Sequence, residues 1–135
     1  MARKRKLPEA EYRLRVFRTL NERNMKSAIA VVVETTKEFV NFHYEVLISD
    51  KKIGNTLTVK ILGLHTPMSV MPGVGPARAF RVYEHSSGTL TVVVHSPDGD
   101  ENIYKLNLRR ASPEVQGAPS HPFILFSSQP VELPE

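Results

Sequence analysis

Period-two alternation of apolar side chains runs through this sequence from residue 28 onward and directs the chain into strands with one face packed. Phe42, Tyr44, Val46 and Ile48 alternate with His43, Glu45 and Leu47; Leu57, Val59 and Ile61 alternate with Thr58, Lys60 and Leu62; Phe80 and Val82 alternate with Arg81 and Tyr83. Thr89 to Ser96 and Glu101 to Leu108 complete the series. Between these last two, Pro97-Asp98-Gly99-Asp100 carries the strongest hairpin signal in the chain, because glycine accepts the left-handed backbone that tight turns require. Ser86-Ser87-Gly88 marks a second turn, and Lys51 to Asn55 joins a strand over 40–49 to one over 56–64. Ala28 to Glu34 is a β-branched run too short to be a convincing helix.

Tyr12 to Leu20 fits two periodicities. Pro8, early acids and later arginines suit a helix and its dipole, yet a helix places Arg13 inside the apolar arc. A strand separates Tyr12, Leu14 and Val16 from Arg13 and Arg15, and strand is the reading adopted. The expected fold is all-β: an antiparallel β-sandwich or small barrel of six to seven strands, with a basic N-terminal tail and an irregular proline-rich C-terminal arm.

A chain of 135 residues supports a single hydrophobic core. The organisation read from it is a basic disordered tail over 1–10, an antiparallel β domain over 11–110 and a proline-rich arm over 111–135. Five of the ten prolines fall in the last 23 residues, where they remove backbone donors and hold their predecessors extended. Within that arm Phe123, Ile124, Leu125 and Phe126 are too apolar for water, so they are expected to dock on the domain as an added edge strand, or on a neighbouring copy as a homo-oligomer contact. The longest unbroken apolar run, Ala28 to Val33, is far short of a membrane-spanning helix, so no membrane partner is expected. The absence of cysteine removes disulfide and thiol chemistry, and with no apolar leader after the basic start the expected location is cytoplasmic.

Charge is unevenly placed. Residues 1–26 hold nine basic residues and three acids, whereas residues 27–135 hold nine bases and eleven acids. Arg3, Lys4, Arg5, Lys6, Arg13 and Arg15 are therefore candidate contacts for an acidic macromolecule or nucleic acid. With only ten aromatic residues in the chain, few can be spared for base stacking.

Histidine is the type best suited to act as ligand or base. If Ser87-Gly88 closes a two-residue loop, His95 faces Phe80 and shares an apolar face with Val82, Val93, Tyr104 and Leu106, while His85 faces Leu90. That register also gathers Arg81, Tyr83 and His85 on the other face with Leu90, Val92 and Val94, and Arg81, Tyr83, His85 and His95 are the candidate ligand or partner residues. His43 and Glu45 project from one strand face, but two residues do not make a site. Asp98, Asp100 and Glu101 read as a turn and not as a calcium loop. Met71 to Arg78 has two glycines and an arginine, but lacks the Lys-Ser/Thr and the following helix of a phosphate loop. No catalytic residue, metal or cofactor is assigned. The functional expectation is a non-catalytic binding or assembly module; a nucleic-acid-binding domain and a small-ligand barrel or enzyme around His95 are the alternatives.

Overall fold

The computed structural model describes residues 11–21, 23, 26–39, 44–65, 75–84, 88–109 and 112–132. Nine strands make up the described chain: β1 (Tyr12–Asn21), β2 (Lys26–Phe39), β3 (Glu45–Ile53), β4 (Thr56–His65), β5 (Gly75–Glu84), β6 (Thr89–His95), β7 (Glu101–Asn107), β8 (Glu114–Gly117) and β9 (Ile124–Ser127). No described helix is long and apolar enough to cross a membrane. The strands form one curled mixed sheet, a half-barrel, in the order β8-β7-β6-β4-β3-β5-β2-β1-β9.

The chain is all-β and barrel-like. The expectation of an antiparallel sandwich of six to seven strands is corrected: β4 with β6, β3 with β5 and β1 with β9 pair in parallel, and the proline-rich arm supplies the short strands β8 and β9. Alternation determines which side chains share a face, not which strand lies alongside or in what direction.

β2 explains much of the topology. Ala28 to Val33 are all fully buried, which requires cover on both faces of the strand. Ile29, Val31 and Val33 face the main core with Leu14, Leu57, Ile61, Leu90, Leu106 and Ile124. Ala30 and Val32 face the opposite side, where Phe17 joins them and Phe80 and Val131 pack against the group. Fully burying each of the larger aliphatic side chains is worth roughly 1.5–3 kcal/mol, so a strand apolar on both sides settles at the sheet interior with a partner on each edge. Those partners are β1 and β5.

Where the β2–β5 ladder breaks between Glu34 and Glu38, the Thr35 hydroxyl accepts the Ala77 N–H at 3.0 Å and donates to the Lys37 carbonyl at 2.8 Å. The turn after β6 closes as the Pro-Asp-Gly signal requires. Gly99 donates its N–H to the Ser96 carbonyl at 3.0 Å with a φ of 92°, and Ser96 donates to the Asp100 carbonyl at 2.8 Å.

Two joins in the curled sheet rely on side chains. β3 and β5 share one ladder pair, Glu45 with Arg78. Between β7 and β9, Asn102 Oδ1 accepts the N–H groups of Phe123 at 2.8 Å and Ile124 at 3.3 Å, and the Tyr104 hydroxyl donates to the Ile124 carbonyl. The amide and phenol thus satisfy backbone groups at the start of β9 and of Phe123 just before it that a neighbouring strand would otherwise pair.

Candidate functional site

β1, β2 and β5 place Arg13, Glu34 and Arg78 opposite one another in a single row across the outer face. Glu34 ends the apolar run of β2, and its side chain is 2% exposed. A buried carboxylate is costly unless its charge is met, and three guanidiniums meet it here. Arg15 Nε donates to Oε1, Arg13 Nη1 donates to Oε2 at 3.4 Å, and Arg78 Nε stands 3.7 Å from Oε1. At that distance Arg78 Nε makes no hydrogen bond, and among the described residues it is the one buried side-chain donor or acceptor without a partner.

The arginines differ in freedom. Arg15 is 13% exposed, and its Nη1 also donates to the Gln129 carbonyl at 3.2 Å, which ties the chain after β9 across the outer face. Arg13 and Arg78 are 32% and 33% exposed, so both reach solvent while bracketing a carboxylate that does not. With three guanidiniums around one carboxylate, the group carries an excess of positive charge, part of it on side chains that reach solvent.

The other sequence-derived candidates are dispersed. Arg81 and Tyr83 lie on the core side of β5, where Tyr83 packs against the main cluster. Both meet Asp50 of β3, which the sequence reading missed: Arg81 Nε donates to Oδ1 at 2.9 Å, and the Tyr83 hydroxyl donates to Oδ2. Arg81 Nη1 donates to the Phe80 carbonyl of its own strand at 2.7 Å, while Nη2 donates to the Ile48 carbonyl of β3 at 3.5 Å, so this side chain holds β3 to β5 beyond their single ladder pair. Burial pushes the Asp50 carboxyl upward, but the hydrogen bonds from Tyr83 and Arg81 and the Arg81 charge outweigh it, leaving the net shift downward. The Tyr83 phenol is pushed well above its usual range by burial, then by its hydrogen bond to Asp50 and the Asp50 charge.

The expected register between residues 80–85 and 90–95 does not form. β5 pairs with β2 and β3, whereas β6 pairs with β4 and β7. Leu90, Val92 and Val94 are consequently buried in the core and not arrayed beside Arg81 and Tyr83. His95 does not share a face with Tyr104 and Leu106; it lies opposite Glu101, with Nε2 3.6 Å from that carboxylate. A turn signal favours neighbouring strands locally, but β2 needed a second flanking strand and β5 fills that place. Among the described residues no three His, Cys, Asp or Glu side chains cluster as a metal would need.

Ile124 is buried in the main core, Phe126 stacks near Tyr104 with ring centroids 5.6 Å apart, Phe123 is half-buried, and Leu125 is exposed. Arg3, Lys4, Arg5, Lys6, His43 and His85 lie outside the described residues. Comparison with known proteins finds no family model, no curated protein and no solved structure that matches the chain.

Proposed function

We propose that this chain is a non-catalytic binding module whose partner is an acidic macromolecule, with nucleic acid the favoured member of that class. The observation that supports this most is the outer-face arginine group, in which three guanidiniums serve a single buried carboxylate. Arg13 and Arg15 of that group belong to the same basic segment, 1–26, as the Arg3 to Lys6 run. Arginine suits this task because its planar fork can pair with phosphate oxygens two at a time and stays charged at every physiological pH.

Binding of this kind releases counterions, so affinity falls steeply with salt. The test is fluorescence anisotropy of the full chain with a labelled single-stranded oligonucleotide across a salt series. The reading predicts a linear fall of log affinity with log salt, made shallower when Arg3, Lys4, Arg5 and Lys6 are all replaced by glutamine. Absence of binding at low salt, or affinity indifferent to salt, would refute it.

A further inference from the structure

We infer that the solvent-facing side of the Arg13–Glu34–Arg78 row is a discrete site for one phosphate group, an inference that rests on the polyanion reading and gives it a location. Glu34 offers two oxygens to three guanidiniums. Oε1 is taken by Arg15, Oε2 is approached by Arg13 at 3.4 Å, and Arg78 Nε is left 3.7 Å from Oε1 without a hydrogen bond. A buried cationic donor with no acceptor is costly; Nε itself is closed to water where it stands, so an incoming oxygen meets Arg78 through the part of its side chain that reaches solvent, and satisfies Nε only as the side chain turns outward.

The geometry selects the ligand class. Arg13 and Arg78 are on the two strands flanking β2, so their backbones stand two strand spacings apart, about 9.6 Å. A ligand bridging them must direct oxygens toward both sides at once. Phosphate does this with three or more oxygens and a larger charge, whereas a carboxylate, as Glu34 shows, faces both strands but has only two oxygens and one charge to share among the guanidiniums. Arg15 is already held by Glu34 and the Gln129 carbonyl, so Arg13 and Arg78 are the groups that would turn to the ligand. Glu34 opposes the incoming charge from beneath. Glu45 at the far end of the row and Glu11 two residues before Arg13 are exposed, and water weakens their opposition.

The opposing role of Glu34 gives the test two variants of opposite sign. Inorganic phosphate is titrated into the full chain while the arginine Nε–H resonances are followed by NMR, with acetate as a planar-carboxylate control. The Arg78 Nε–H is expected to shift saturably with phosphate and far less with acetate. Arg78→Gln should abolish the saturable response at Arg13, and Glu34→Gln should tighten phosphate binding severalfold. No saturable shift at Arg78, equal responses to acetate and phosphate, or unchanged affinity in Glu34→Gln would each overturn the site. Saturable phosphate binding at Arg78 in a protein that binds no oligonucleotide would uphold the site and refute the polyanion reading. Oligonucleotide binding unaffected by Arg78→Gln, with no phosphate response, would do the reverse.

Discussion

Arg15 and Arg78 direct their Nε atoms at the same oxygen, Oε1 of Glu34, and only Arg15 hydrogen-bonds to it. The outer face of β1, β2 and β5 therefore carries more positive charge than its buried carboxylate can neutralise. Glu34→Ala should leave three guanidiniums facing one another and lower stability by on the order of 3 kcal/mol, read from the urea midpoint. A loss below about 0.5 kcal/mol, typical of an exposed pair, would show that water already screens these charges.

The Asp50 carboxyl titrates lower in the folded chain than in the unfolded one, so the folded state binds fewer protons there. Its stabilising contribution is present above the ordinary carboxyl value of 3.8 and is lost as pH falls through the lower folded value. Thermal melts from pH 6 down to about pH 2 should show a falling melting temperature, and Asp50→Asn should flatten the acid limb. The Tyr83 phenol behaves oppositely, since its folded value is raised above 10.0. Its contribution is present below 10.0 and is lost as pH rises through the folded value; burial raises the Tyr12 and Tyr104 phenols too, so ultraviolet titration should find late-ionising phenols of which one, Tyr83, ionises earlier in Asp50→Asn.

Asn102 provides the side-chain join between β7 and β9. Asn102→Ala removes the acceptor for two backbone N–H groups of the arm and should cost about 2–3 kcal/mol, while Tyr104→Phe should cost about 1 kcal/mol. Hydrogen exchange at Phe123 and Ile124 is the readout. Strong protection of both amides in Asn102→Ala would mean that something other than this carboxamide holds the strand.

How much of this was legible in the sequence varies by level. Strand content followed from alternation, and the turn at Pro97 to Asp100 from its Asp-Gly step, because both are properties of adjacent residues. Partner choice was not legible: β5 beside β2, and β6 parallel to β4, depend on which distant strand needs covering. The unbroken run Ala28 to Val33 did carry a signal, since a strand apolar on both faces must sit inside a sheet. Arg13 and Arg15 were visible as outward cations, but Glu34 and Arg78 are 21 and 65 positions from Arg13 and join it only through pairing. Asp50 was missed for the same reason: it meets Arg81 and Tyr83 across a seam between strands distant in sequence.

Deleting residues 119–135 removes Ile124 from the core and Val131 from the outer cluster. Full burial of one such side chain is worth roughly 1.5–3 kcal/mol, so the melting temperature should drop by about 10 °C or more. Light scattering on the same samples should give the same number of chains per particle for both, because the segment is docked on its own β1. A smaller assembly after deletion would instead show that copies exchange this arm.

The most direct measurement is the salt dependence of oligonucleotide binding in Arg13→Gln/Arg78→Gln against the unaltered chain. These two residues come from separate strands and share only the row through Glu34, so a joint effect reports on the site rather than on the basic tail. Each lost phosphate contact reduces the slope of log affinity against log salt by about 1, and the site predicts a reduction of about 1 with weaker binding at every salt concentration. An unchanged slope and affinity in a folded double variant would contradict the assignment of the outer face of β1, β2 and β5 as the binding surface.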